Sequence, residues 1–141
     1  MASQPAVRGT PRISVVTVVR NGVATLDACL RSVRAQSYPE LEHVVIDGAS
    51  TDGTVDLLRE ATTGRLRWVS EPDAGIYDAM NKGVRLAAGD YLLFLGADDT
   101  LLADIGAVAA RLADRRTLYY GDAYWPSRHR LYDGPFGPLK L

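Results

Sequence analysis

The chain has 141 residues, of which 47% are hydrophobic and 23% are charged, and its formal net charge is −1. This composition is typical of one globular domain and excludes an intrinsically disordered chain. The balanced charge excludes a bulk attraction to DNA or RNA, so we expect no nucleic-acid partner. The single cysteine, Cys29, excludes a disulfide within the chain. Because no apolar run near the N-terminus could serve as a signal peptide, a cytoplasmic protein is expected.

Strand patterns recur along the chain behind a polar leader at residues 1–11. The β-branched run at 13–19 predicts a strand that is buried on both faces. Shorter apolar runs predict four further strands, at 43–46, 66–69, 91–95 and 117–120.

Apolar residues at helical spacing separate these strands and predict four helices. Asp52 is placed to cap the second helix, and the third is expected to stop at Gly89. The apolar residues that predict the helices are Val23, Leu26, Leu30 and Val33 in the first, Val55, Leu57 and Leu58 in the second, Ile76, Met80, Gly83 and Ala87 in the third, and Ile105, Val108, Ala109 and Leu112 in the fourth. The chain therefore divides into the leader, a domain at 12–123 and a Pro/Gly-rich tail at 124–141 that predicts turns or a lid.

This alternation of strands and helices predicts an α/β fold, an open and mostly parallel sheet with helices on both faces. Ligands of such sheets bind beyond the carboxyl ends of the strands. Acidic, glycine-containing turns follow three of the predicted strands, at 47–53, 71–75 and 96–99. The sequence therefore predicts a ligand site at one edge of the sheet.

Asp98 and Asp99 are adjacent carboxylates directly after an apolar strand. They repel each other unless a positive charge neutralises them, and hard divalent cations prefer such oxygen ligands. The competing interpretation is that the pair caps the following helix, where carboxylates are also favoured. Because the pair shares its edge with two other acidic turns, we favour a metal site.

Asp47 lies where the second strand enters its turn. A carboxylate there can accept the N–H groups of a nucleobase, or it can simply stabilise an Asp-Gly turn. Asp78, Asn81 and Lys82 lie near the start of the third helix, where phosphate binding and an ordinary solvated helix face are both reasonable interpretations.

The sequence lacks the motifs of several other kinds of functional site. It has no G-x-x-x-x-G-K-[ST] loop, no G-x-G-x-x-G after the first strand, no Cys/His set at zinc spacing and no G-x-S-x-G elbow. ATPase, dinucleotide-binding, zinc and serine-hydrolase interpretations are therefore weak.

Four segments of the chain together resemble the family 2 glycosyltransferases, which have the GT-A fold. In chain order these segments are ISVVTVVRNG, VVIDGASTDGT, SEPDAGIYDAMNKGVRLAAGDYLLFLGADD and YYGD. The third segment is similar to the branch that makes bacterial surface polysaccharides and glycolipids. The resemblance implies inverting transfer of a sugar from a UDP, GDP or dTDP donor to a hydroxyl of a glycan or lipid-linked acceptor. It leaves open association with the inner face of the membrane and formation of a homo-oligomer.

The resemblance also implies roles for individual residues, with Asp47 contacting the base and Asp99 and Asp98 holding Mg²⁺ or Mn²⁺. The full donor site that it implies comprises Val19, Asn21, Asp47, Asp78, Lys82 and Asp98.

Two departures from the family pattern matter. Many members carry an aspartate where this chain has Gly96, although the remaining acidic pair is intact. An inverting displacement also needs a general base, which the family supplies from a later segment. The late candidates Asp122, His129 and Asp133 do not match it by motif. The base is therefore expected beyond Leu141, and the chain is expected to stop before the acceptor half.

Two other functions stay open. One is a non-catalytic nucleotide-sugar-binding module that works with a partner chain. The other is a nucleotidyltransferase-like enzyme, for which Val19-Arg20-Asn21-Gly22 is a poor version of the Gly- and Lys/Arg-rich loop it would need.

Overall fold

The structure, a computed structural model, describes residues 9–114, 116–119, 123–125, 127 and 130–132. Its main sheet has four strands in the order β3-β2-β1-β4, and all neighbours are parallel. The strands are β1 (Ile13–Val19), β2 (Leu41–Asp47), β3 (Leu66–Ser70) and β4 (Tyr91–Phe94). The central pair β1 and β2 is buried along almost its whole length, as expected for β-branched strands covered on both faces.

Four helices cover the two faces of this sheet: α1 (Val23–Arg34), α2 (Thr54–Ala61), α3 (Ile76–Leu86) and α4 (Ile105–Ala109). On one face, Leu26 of α1 and Leu58 of α2 pack against Val45 of β2, and Ile105 of α4 joins the adjoining core. On the other face, Ala79 of α3 packs against Val16 of β1 and its neighbours. The predicted α/β fold with helices on both faces is confirmed.

The buried face of α3 agrees with the predicted one at Gly83 and Ala87 but differs at Ile76 and Met80. Its buried residues are Ala79 and Gly83, whereas Ile76 is 60% exposed and Met80 only partly buried. The small residues allow the helix backbone to approach β1 and β2 closely, and Ile76 lies in the first turn, beyond the packed part of the helix. The size of the hydrophobic side chains therefore did not identify which residues of α3 pack against the sheet.

The late part of the chain also departs from the prediction. The strand expected at 117–120 is absent at 117–119, where the chain bends and is irregular, and Tyr120 lies outside the described residues. The helix α4 ends at Ala109, before Leu112. Beyond it, β5 (Ala123–Trp125) and β6 (Arg130–Tyr132) form a short antiparallel pair. The tail boundary predicted at 124 therefore falls within β5, and most of residues 126–141 lie outside the described residues.

None of the helices in the described ranges has both the length and the apolar character needed to cross a bilayer.

Candidate functional site

The carboxyl ends of all four parallel strands meet at one edge, which brings the three acidic turns together as predicted. The turns after β2 and β3 are adjacent, since Glu71 N–H donates to the Asp47 carbonyl at 3.0 Å. The turn after β1 lies between them and the turn after β4. Its Val19 carbonyl accepts from Gly48 N–H at 2.9 Å, and Gly22 lies beside Ala97.

Asp47, the last residue of β2, is fully buried in this edge. Its carboxylate accepts hydrogen bonds from the Ser50 N–H at 3.0 Å, the Ser50 hydroxyl at 2.5 Å and the Ser70 hydroxyl at 2.6 Å. Asp47 therefore stabilises its own turn, as the simpler interpretation expected. Three bonds leave part of the acceptor capacity of a carboxylate unused. Because Asp47 is fully buried, a base N–H could reach it only if the turn around Ser50 moved.

Asn21 joins the turn after β1 to the turn after β2. Its N–H donates to Ser50 Oγ at 2.7 Å, and its Oδ1 accepts from Thr51 N–H at 2.9 Å. Asn21 and Ala49 both have positive φ, 53° and 55°, which is uncommon for residues other than glycine. Such backbone conformations persist where surrounding bonds enforce them, and they concentrate at functional sites.

Asp52 acts on two helices at once. Its Oδ1 accepts from the N–H and hydroxyl of Thr54, and its Oδ2 accepts from Val23 N–H at 3.0 Å. The N-cap residues of α2 and α1 are Gly53 and Gly22, so Asp52 is not the N-cap that the sequence predicted. Its carboxylate nevertheless accepts from the first amide group of each helix. The same bonds, first of all the one from Thr54, hold the pKa of Asp52 below its ordinary value.

Asp98 and Asp99 do not cap the helix that follows them. That helix, α4, begins at Ile105, and its cap is Asp104, whose Oδ1 accepts from Gly106 N–H at 2.8 Å. Both Asp98 and Asp99 are exposed, and their carboxylates have no hydrogen-bond or ion-pair partner in the described part of the chain. Asp98 and Asp99 are therefore not the cap of the helix that follows them.

The two carboxylates converge beside Gly96. A Cβ atom built at Gly96 would lie 2.7 Å from Asp99 Oδ2 and 3.0 Å from Asp98 Oδ1. Without that Cβ, both oxygens reach the same small volume, where their charges repel each other. An aspartate at this position, as in many family members, would require both side chains to move.

Asp78 and Lys82 organise the loop before α3. Lys82 Nζ lies 2.8 Å from the Pro72 carbonyl, 2.9 Å from Glu71 Oε1 and 3.6 Å from Asp78 Oδ2. The bond to Glu71 raises the pKa of Lys82, and the bond from Ala74 N–H lowers that of Asp78. Both side chains are engaged with the 71–75 loop, so contact with a phosphate would compete with these bonds.

Three residues of this edge were missed from the sequence. Ser50 and Ser70 hold Asp47, and a Cβ at Gly48 would lie 2.5 Å from Asp73 Oδ2, so Asp73 lies directly over the turn after β2. Ser50 could have been found from its spacing, since a serine three residues after an aspartate suits a local turn bond. Ser70 pairs with Asp47 across the parallel register, which only the sheet reveals.

The possible general bases Asp122, His129 and Asp133 lie outside the described residues. Within the described ranges, no group of three or more His, Cys, Asp or Glu side chains could hold a metal by itself. A cation at Asp98 and Asp99 would therefore need further ligands from a substrate or from water.

Two solved structures of nucleotide-sugar complexes are similar to this chain. The chain matches Staphylococcus aureus TarS 1–349 in complex with UDP-GlcNAc at a TM-score of 0.65 and 26% identity, over 71% of this chain and 30% of that one. It also matches the mannosyltransferase PcManGT from Pyrobaculum calidifontis, in complex with GDP-Man and Mn²⁺, at a TM-score of 0.65 and 29% identity, over 75% and 35% of the two chains. The fold is that of the GT-A glycosyltransferases.

The model of glycosyl transferase family 2 matches residues 14–134, and the chain belongs to this family. A PGL/p-HBAD biosynthesis glycosyltransferase of Mycobacterium bovis is 41% identical over 133 residues, which are 89% of this chain and 52% of the relative. An uncharacterized glycosyltransferase of Mycobacterium tuberculosis is 47% identical over 90 residues, 63% of this chain and 34% of that protein. The chain thus spans about half, or less, of the length of these relatives.

Proposed function

We propose that this chain binds a nucleoside-diphosphate sugar at the carboxyl edge of its sheet, as part of an enzyme that transfers the sugar with inversion to an acceptor hydroxyl. The observation that carries the proposal is the pair of exposed carboxylates, Asp98 and Asp99, which converge beside Gly96 without capping a helix. TarS with UDP-GlcNAc and PcManGT with GDP-Man support the donor class.

The carboxylate pair fits a divalent cation, Mn²⁺ or Mg²⁺. Two carboxylates that have no cationic partner among the described residues provide hard oxygen ligands and a local excess of negative charge. Two protein ligands suit an ion that completes its shell with water and substrate phosphates. The bound ion would supply electrostatic stabilisation for the charge that develops on the departing diphosphate.

We assign the nucleoside to the turns after β1 and β2. Asp47 is enclosed by Ser50 and Ser70, so the base would contact this hydrogen-bonded unit as a whole. Val19 and Asn21 form the adjoining wall, because Val19 bonds to Gly48 and Asn21 bonds to Ser50 and Thr51. Asp78 and Lys82 would position the 71–75 loop above the donor.

The general base and the acceptor site, for a glycan or a lipid-linked acceptor, belong in this proposal to the region of the relatives that this chain does not match. The matched part covers 52% of the M. bovis relative. We therefore expect donor binding by this chain, and sugar transfer only when that region is also present.

Donor binding can be tested by thermal-shift titration with UDP, GDP and dTDP, with and without Mn²⁺. A ligand that binds only the folded state stabilises it by about 2.7 kcal/mol at a hundredfold excess over Kd. We expect one nucleotide to raise the unfolding midpoint, and to raise it further with Mn²⁺. A folded sample that shows no shift with any of the three nucleotides, with or without Mn²⁺, would refute the donor site. A nucleotide shift that Mn²⁺ does not increase would refute the metal site.

The two halves of the site can be separated with variants. Asp99→Asn should abolish the effect of Mn²⁺ on nucleotide binding, because it removes one of the two anionic ligands. Asp47→Ala should weaken binding with or without Mn²⁺. Asp56→Asn, on the exposed face of α2, is the matched control and should bind as the parent does. Identical behaviour of the Asp99 and Asp47 variants would show that these roles are wrongly divided.

A further inference from the structure

Arg20 is the first residue of the turn after β1, and it is exposed. It is the only basic residue in the four turns of the carboxyl edge, at 20–22, 47–53, 71–75 and 96–99. All the other charged residues of these turns are acidic, and they include Asp98 and Asp99. A single positive charge therefore lies within an edge that is otherwise negative.

The guanidinium of Arg20 is available to a ligand. It forms no hydrogen bond or ion pair within the described part of the chain. Lys82, which reaches the same edge from α3, is instead engaged by Glu71 and by the Pro72 carbonyl. An anionic ligand at this edge would therefore meet Arg20 as a cation that is not already paired.

Arg20 lies in the middle of the edge. A Cβ atom built at Gly48 would lie 3.6 Å from Arg20 Cβ, so Arg20 adjoins the turn after β2, to which the nucleoside is assigned. In the same turn as Arg20, a Cβ atom built at Gly22 would lie 4.0 Å from Ala97 Cβ, next to the carboxylate pair. A donor that reaches from the turn after β2 to a metal ion at the carboxylate pair must therefore cross the turn that carries Arg20.

The charge of the edge indicates which part of the donor Arg20 contacts. The diphosphate is anionic, and the acidic turns repel it. A guanidinium stays protonated at neutral pH, and its parallel N–H groups match two oxygens of a phosphate. Stacking on the base is the other contact that a guanidinium can make. The excess of acidic residues favours the phosphates, because Arg20 then offsets a repulsion that the base does not experience.

We propose that Arg20 binds the diphosphate of the donor, with its guanidinium on phosphate oxygens between the nucleoside and the metal ion. This role rests on the proposed donor site and adds to it a residue that selects nucleoside diphosphates over uncharged nucleosides. It requires no movement of the bonds that hold Asp47 or Lys82.

The test compares Arg20→Gln with the parent by NMR titration of the full chain. The ligands are UDP, GDP and dTDP with Mg²⁺, and then uridine, guanosine and thymidine. We expect the variant to bind the preferred diphosphate about tenfold more weakly and its nucleoside as the parent does. Arg20→Lys keeps the charge without the paired N–H groups and should lie between the two. Arg34→Gln is the matched control, an exposed arginine at the opposite end of the sheet.

The outcomes separate this role from the donor site itself. Equal diphosphate binding by Arg20→Gln and the parent would overturn the role of Arg20 and leave the donor site standing. Equal losses for the diphosphate and the nucleoside would place the guanidinium on the base and would also overturn it. A parent that binds none of the three diphosphates would refute the donor site and this role together. Because Arg20 has no side-chain partner within the described residues, Arg20→Gln should unfold at the parent's temperature, which separates lost binding from lost folding.

Discussion

His43 is a buried titratable group in the centre of the fold. It lies in β2 beneath α1, and its Nε2 shares a hydrogen bond with Thr17, which also lies 3.8 Å from Cys29 Sγ. Burial lowers the pKa of His43 from 6.5 to about 4, and burial likewise raises the pKa of the Cys29 thiol. Both groups are therefore neutral in the folded protein near pH 7.

At the residue scale, this burial predicts how stability depends on acid. The unfolded chain binds a proton at His43 below pH 6.5, whereas the folded chain resists it until about pH 4. The free energy of unfolding should therefore fall from pH 6.5 towards pH 4, by about 3 kcal/mol in total, and His43 should contribute no pH dependence above that range. Urea unfolding at several pH values measures this slope.

His43→Gln is the control, because glutamine does not titrate. Its stability should change much less between pH 6.5 and 4.5, a window above the range in which Glu42 gains its proton. An equal slope for the parent and the variant would mean that another group causes the acid sensitivity.

At the scale of an element, α3 is held against the sheet by small residues. A Cβ at Gly83 would overlap Val16 Cγ1 and approach Ile46 Cγ1 to 3.5 Å. Alanine is a better helix former than glycine by about 1 kcal/mol, which by itself would stabilise the helix. Overpacking of a tightly filled core costs about 1–3 kcal/mol and acts in the opposite direction.

We expect Gly83→Ala to lower the free energy of unfolding, because the overlap with Val16 outweighs the helix preference. Thermal and urea unfolding measure the change. Asn81→Ala, at an exposed position of the same helix, should be neutral or slightly stabilising. A more stable Gly83→Ala variant would show that α3 can move away from β1 with little loss of packing.

At the scale of the whole molecule, Glu42 joins elements that are far apart in the chain. Its Oε1 accepts from Ser14 Oγ and from Ala88 N–H, each at 2.6 Å, and its Oε2 pairs with Arg12 at 3.1 Å and Arg67 at 3.4 Å. Burial alone would raise the pKa of Glu42. The hydrogen bonds and the two arginines outweigh that effect and hold the pKa below its ordinary value.

Glu42→Ala should destabilise the protein by about 2–3 kcal/mol, because it leaves the buried Ser14 hydroxyl and the Ala88 N–H without this acceptor and the two arginines without their anionic partner. Urea unfolding near pH 7 measures the loss, since the carboxylate stabilises the fold above pH 4.5 and that contribution disappears in acid. Glu40→Ala is the matched control, with an exposed side chain two residues away. A loss no larger than that of the control would contradict this role.

The parallel sheet and its two covered faces could be predicted from the sequence because the relevant signals are local. The β-branched run of β1 and the helical spacing of Leu26, Leu30 and Val33 record burial directly in the pattern of residues. The polar turns that follow the strands are also local signals, and they correctly predicted the edge at which the three acidic turns meet. The late strands could not be read this way, since three-residue strands such as β5 and β6 are too short to show a period.

The sequence by itself determined the class of fold and the edge of the sheet at which the acidic turns meet, and it singled out Asp98 and Asp99 as candidates. Only the tertiary structure decided what each side chain contacts. In the structure Asp104 caps α4, so Asp98 and Asp99 do not. Asp47 is hydrogen-bonded by Ser50 and Ser70, and Lys82 forms an ion pair with Glu71. The physical reason is that hydrophobic periodicity and secondary-structure propensity depend on a few neighbouring residues. These side-chain contacts depend instead on the register of the strands and on loops from distant parts of the chain that meet at one edge of the sheet.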